Sequence, residues 1–186
     1  EVSEEEGVRY LHFGSRWIQG AMRIARPNSL ELEYTRDLMF PLLLRGGVYP
    51  KSVLVVGLGA ASVTRFLAKH RPRATQAIVE IEPAVVAAAR AHFKLPPESP
   101  RLAIEIADAS DYVQRTTRTF DLILVDAGQF RSAARLAREF RTIDAMIAVA
   151  RNGSDVRRVE DELERFGLSD LCVALAFNEA RGRSAR

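Results

Sequence analysis

An apolar strand that breaks into a glycine turn, Val53-Leu54-Val55-Val56-Gly57-Leu58-Gly59-Ala60-Ala61, restricts the fold of this chain more than any other segment. Four apolar, mostly β-branched residues make a buried strand, and Gly-x-Gly lets the backbone turn where a ligand comes close. Ala61 to Leu67 has helical spacing, so the turn opens a helix whose first amide N–H groups favour electron-rich ligand groups. A second apolar run ends in Glu80, 23 positions after Gly57. That is near the ~20-residue offset at which an acid meets ribose hydroxyls in nucleoside-binding βαβ units. The alternative is a strand–helix turn that needs its glycines for packing alone. The acid at this offset favours a nucleoside site.

The pattern continues as alternating strands and helices: strand 52–57, helix 61–70, strand 76–81, helix 83–93, strand 101–106, a short helix near 109–115 and strand 120–125. Such alternation predicts an α/β, Rossmann-like, doubly wound and mainly parallel sheet. Pro83 suits the first turn of the Ala-rich helix, where its missing N–H has no partner to lose. Ahead of this region, Val8 to Phe13 and Trp17 to Met22 read as a β-hairpin. A helical pattern then runs from Leu30 to Leu43, shortened or kinked at Pro41. The chain therefore divides into an N-terminal β-hairpin region, 1–29, and a Rossmann-like domain, 30–186. Beyond Asp126, Arg131 to Phe140 and Asp155 to Phe166 read as helices, and Ile143 to Val149 and Leu171 to Phe177 as strands.

Composition removes several function classes. Hydrophobic residues make up 47% and charged residues 27%, as in ordinary globular proteins. No apolar run approaches the ~20 residues of a membrane helix. The acidic opening, Glu1 to Glu6, is unlike a secretory signal. With the single cysteine, Cys172, set in an apolar run, a reducing cytoplasm is the expected location. The net charge of +3 and pI near 9.3 do not imply nucleic acid, since Arg alternates with Asp and Glu and forms no basic block. No His/Cys/Asp spacing suggests a metal. His12 reads as a packing or surface residue, and His70 and His92 as helix C-terminal residues.

Three acids end strands that should share one sheet edge: Glu80, Asp108 and Asp126. Ligands of open α/β sheets bind outside the carboxyl ends of the strands. Asp108 could accept from an exocyclic amine with the N–H of Ala109 beside it, or cap the helix that follows. Asp126, after a strand too apolar to be exposed, is either a site acid or a turn former.

In order and spacing, these segments resemble the spermidine synthase (polyamine aminopropyltransferase) family, a branch of the class I AdoMet-dependent methyltransferase fold. The resemblance rests on Arg9-Tyr10-Leu11-His12-Phe13-Gly14, Gln19-Gly20-Ala21-Met22, Leu32-Glu33-Tyr34-Thr35-Arg36, Val53 to Gly59, Glu80-Ile81-Glu82-Pro83, Asp108-Ala109 and Phe120 to Asp126. It implies a co-substrate, decarboxylated S-adenosylmethionine or S-adenosylmethionine, without a metal, and a small amine acceptor. By position it implies that Gln19 contacts the sulfonium nucleoside and that Gly57 and Gly59 pass its tail. Glu80 would hold the ribose, Asp108 and Ala109 the adenine, and Asp126 would be the acid beside the attacking amine. A homodimer is implied as well.

The departures are specific. The family's glycine loop carries an acid where Ala60 stands, and Gln129 replaces its second acid, three residues after Asp126. In the family register, Arg36 puts a cation where a cationic substrate expects an anion, which would oppose a diamine. The family's long segment after Asp126 is missing: Arg131 starts a different helix at once. Either the chain lacks the substrate lid, or a segment is absent between Phe130 and Arg131; a lost strand would leave the sheet short, which favours the second. The expectation is aminopropyl transfer to a polyamine. The alternatives are an AdoMet-dependent methyltransferase, which Val55 disfavours where an acid is common, and a non-catalytic nucleoside-binding homologue.

Overall fold

The computed structural model describes residues 1–14, 18–39, 42, 50–126, 146–151 and 173–177. Its centre is a six-stranded sheet built from β4 (Ser52–Val56), β5 (Thr75–Glu80), β6 (Leu102–Ile106), β7 (Leu122–Val125), β8 (Met146–Arg151) and β9 (Val173–Phe177). The strand order is β6-β5-β4-β7-β8-β9, and every pairing is parallel. The order reverses between β4 and β7, the position at which a doubly wound sheet opens a crevice. The helices between successive strands are α2 (Ser62–His70), α3 (Pro83–His92) and α4 (Ala109–Arg115), after a short α1 (Glu33–Asp37).

Local chemistry explains these boundaries. Pro83 opens α3, and the Glu82 side chain caps it by accepting from the Ala84 N–H at 3.0 Å. Lys69 lies in the last turn of α2 and Arg90 in that of α3, where cations complement the helix dipole. All four residues of β7 are buried, which accounts for its uninterrupted apolar sequence.

The expected N-terminal hairpin is present as two antiparallel strands, and a further strand ahead of them makes it a three-stranded sheet. β1 (Val2–Glu5) pairs with β2 (Val8–His12), which pairs with β3 (Ile18–Arg23). β1 is a largely exposed edge strand, half of its residues acidic, and Ser3 Oγ lies 2.8 Å from His12 Nε2 across the pair. Leu11 and Met22 of this sheet share one apolar cluster with Tyr34, Leu38, Val53, Val55, Leu67 and Phe93. Burying a large apolar side chain contributes about 1.5–3 kcal/mol, so this shared cluster fastens the small sheet to the large one.

The strands expected at 143–149 and 171–177 are present as β8 and β9, which extend the sheet beyond β7. The predicted helices 131–140 and 155–166, together with Trp17, Gln129 and Cys172, lie outside the described residues.

Candidate active site at the carboxyl edge of the sheet

β4 delivers the glycine turn to the crevice. Gly57 has φ +90°, which only glycine adopts freely, and its N–H donates to Val79 O at 2.8 Å. The next amide, Leu58 N–H, donates to Glu80 Oε2 at 2.8 Å, while Glu80 Oε1 accepts from Glu82 N–H at 3.0 Å. Glu80 is thus a buried carboxylate held beneath the turn by two backbone donors. Each of its oxygens keeps a further lone pair for a ligand hydroxyl. The Gly59 N–H has no acceptor among the described residues.

β3 forms the opposite wall. A Cβ built on Gly20 would stand 2.6 Å from Ala60 Cβ and 2.8 Å from Ala60 N, so only glycine lets the strand lie this close. Gln19 O lies 3.6 Å from where a Cβ on Gly59 would be. The Gln19 side chain makes no hydrogen bond among the described residues and sits half-buried beside the turn.

Asp126 follows β7 directly, and its N–H donates to Val56 O at 2.8 Å. Tyr34, on α1, reaches across to it: Tyr34 Oη is 3.3 Å from Asp126 Oδ2 and 3.4 Å from Gln19 O. Both distances are long for hydroxyl hydrogen bonds, so this one donor is shared loosely between two acceptors. Burial pushes the Asp126 carboxyl up to about 7; the hydrogen bond from Tyr34 opposes the rise, and the nearby Glu80 charge adds to it. Burial, reinforced by the Asp126 charge, raises the Tyr34 hydroxyl well above its ordinary range, so it stays a donor. Arg36 stands two residues beyond Tyr34 on α1, roughly opposite around the helix. It is exposed, and its Nη2 donates to Glu31 O at 3.3 Å. The cation expected to oppose an amine substrate is turned away from Asp126.

Asp108 lies at the same edge, two residues after β6. Its Oδ1 accepts from the N–H groups of Ser110 at 2.7 Å and Asp111 at 3.3 Å, so it does cap α4. The Ala109 N–H takes no part in that cap. Sequence reasoning passed over two neighbours. Ile81, after Glu80, and Ile106, at the end of β6, are 62% and 54% exposed. They are large apolar side chains left in water beside the acids. Their signal was present, since Ile81 follows Glu80 directly and Ile106 lies two residues before Asp108. The structure therefore brings Gln19, Gly57, Gly59, Glu80 and Asp126 around one turn, with Asp108 and Ala109 along the edge. Tyr34 connects the two walls. Among the described residues, no group of three His, Cys, Asp or Glu side chains is gathered as a metal would require. No helix among them is long and apolar enough to cross a membrane.

An all-parallel sheet that reverses its order beside a glycine turn defines a Rossmann-like α/β protein. Its fold resembles that of a probable spermidine synthase from Corynebacterium glutamicum, with TM-score 0.59 and 19% identity over 77% of this chain and 52% of that one. It also resembles a spermidine synthase solved in complex with the transition-state analogue AdoDATO, with TM-score 0.51 and 19% identity over 79% of this chain and 56% of that one. The chain belongs to the spermine/spermidine synthase domain family, whose profile matches residues 31–154. It is 43% identical over 126 residues to a polyamine aminopropyltransferase of Chromobacterium violaceum, a match covering 68% of this chain and 48% of the relative. The chain thus spans about half the length of the curated relatives it matches.

Proposed function

We propose that this chain transfers an aminopropyl group from decarboxylated S-adenosylmethionine to a small amine, as the names of its relatives suggest. The observation that carries this reading is Asp126: an acid at the carboxyl end of β7, poised near neutrality beside Tyr34 and Glu80. The donor supplies a carbon made electrophilic by an adjacent sulfonium. Glu80 and Gln19 hold its ribose and sulfonium side, Gly57 and Gly59 pass its tail, and Asp108 with the Ala109 N–H meets the adenine between Ile81 and Ile106. Asp126 orients the acceptor and takes its proton. An amine nitrogen with an ordinary pKa near 10 must lose that proton before it can attack. Such proton transfer is worth about 10²–10⁴-fold. The Glu80 charge increases the proton affinity of Asp126, and the Tyr34 hydroxyl steadies its ionised form.

The same reading takes 1–29 and 30–186 as the two working regions of a cytoplasmic homodimer, with Phe13, half exposed on the small sheet, available to a second copy. The orientation of Arg36 favours aminopropyl transfer over the alternatives, because it removes one of three objections to an amine site.

Incubation with decarboxylated S-adenosylmethionine and putrescine, followed by mass spectrometry, should yield methylthioadenosine and spermidine in equal amounts. Transfer from S-adenosylmethionine alone, giving a methylated amine, would replace this reading with the methyltransferase. Nucleoside binding by calorimetry with no product from either donor would leave a binding protein that has lost its amine site.

A further inference from the structure

Arg65, on α2, is the largest fully buried side chain among the described residues, 1% exposed. A guanidinium withdrawn from water is normally matched by a carboxylate. Here no acid is paired with it among the described residues, and every partner is neutral. Its Nε donates to Pro27 O at 2.6 Å, and its Nη1 to Ala60 O and, at 2.7 Å, to Phe93 O. Nη2 lies 3.5 Å from Ser62 Oγ. The three carbonyls come from the segment after the small sheet, the glycine turn and the end of α3. Burial lowers the Arg65 pKa to about 10, so the group remains a cation at neutral pH.

The Ala60 carbonyl is the informative partner. It immediately precedes Ala61, which has φ +54° and ψ 25°, a left-handed conformation that a residue with a Cβ adopts reluctantly. Ala61 is also the N-cap of α2 and offers no side-chain cap. The turn therefore holds a disfavoured conformation without the usual local support. Gly20 lies beside Ala60 with no room for a Cβ between them, and Arg65 holds the Ala60 carbonyl from within.

We propose that Arg65 is a positioning residue for the donor nucleoside, fixing the Ala60–Ala61 peptide so that the turn keeps the shape that leaves the Gly59 amide free for the ligand. The inference rests on the nucleoside site proposed above. A planar fork with several fixed donors can reach three carbonyls in different directions, whereas a lysine ammonium is a single point on a flexible stem.

The test uses Arg65→Lys, which keeps the charge and loses the fork, with methylthioadenosine as the calorimetric probe. Its Kd should rise at least about 10-fold, equivalent to about 1.4 kcal/mol, and the KM for putrescine should stay within about twofold. Adding Ala61→Gly should bring the Kd back to within about threefold of the unaltered protein, because glycine adopts this φ freely. Recovery of the Tm without recovery of the Kd would mark a purely structural role and overturn the proposal. An unchanged Kd in Arg65→Lys, with only a lower Tm, overturns the proposal and leaves the nucleoside site standing. No methylthioadenosine binding by the unaltered protein removes the site itself, and the role of Arg65 with it. Should Arg65→Lys not fold, the double variant is measured alone, and failure of both to fold overturns the proposal by making Arg65 a residue of the fold.

Discussion

Asp121 enters β7 and Asp126 leaves it, with four strand residues between them, and the protein surrounds the two acids in opposite ways. Asp121 Oδ2 accepts from Lys51 N–H at 2.7 Å, Ser52 N–H at 2.9 Å and Ser52 Oγ at 3.1 Å, closing the amino end of β4 onto β7. Asp126 has one long hydrogen bond, a burial that disfavours its charge and another carboxylate within electrostatic reach. Of these two acids, the one surrounded by backbone donors supports the fold, and the one left short of partners is available to chemistry.

The strongest test of this contrast is activity. Asp126→Asn should lower kcat by about 10²–10⁴-fold and leave methylthioadenosine affinity within about threefold, while Asp121→Asn should leave kcat unmoved. Comparable losses of turnover in both variants would erase the distinction.

Stability should move in opposite directions, as urea unfolding at several pH values would read. Asp121→Asn should cost about 1–3 kcal/mol, because two backbone donors lose an ionised acceptor. The carboxyl of Asp126 titrates near 7 in the folded state and near 4 unfolded, so the folded state holds the proton more tightly. Folding is then favoured at acid pH, and that benefit is lost as pH rises from about 4 through 7. Asp126→Asn should accordingly be more stable than the unaltered protein at pH 8, by about 1–2 kcal/mol, with the gap closing towards pH 4.

The smallest effect concerns Tyr34. Its hydrogen bond holds the Asp126 pKa down, so Tyr34→Phe should shift the acid limb of the kcat–pH profile upwards by less than about one unit. A downward shift would mean that the hydroxyl does not donate to Asp126.

The large sheet was legible because its strands are apolar runs closed by glycine, proline or acid. Strand 76–81 and the helices near 83–93 and 109–115 were read within a residue or two of β5, α3 and α4. β1 was not read, because Ser3-Glu4-Glu5 has the composition of a solvated tail. It is a strand only through its pairing with β2, which no local pattern reveals. The acids were legible as strand ends, yet their inequality was not. Whether a carboxylate is satisfied depends on backbone donors from distant segments, such as the Leu58 amide at Glu80. Tyr34 was visible only as part of a motif; its reach from α1 to Asp126 is a property of how the sheets are docked.

The contact between Gly20 and Ala60 has a consequence for anyone redesigning this protein. With the Cβ of residue 60 facing the bare backbone of residue 20, the two positions behave as a matched pair. Adding a side chain at position 20 is therefore not a one-letter change. A Cβ there meets the amide and Cα of residue 60 as well as its Cβ, so trimming residue 60 alone would not clear the way and the loop would have to move with the strand.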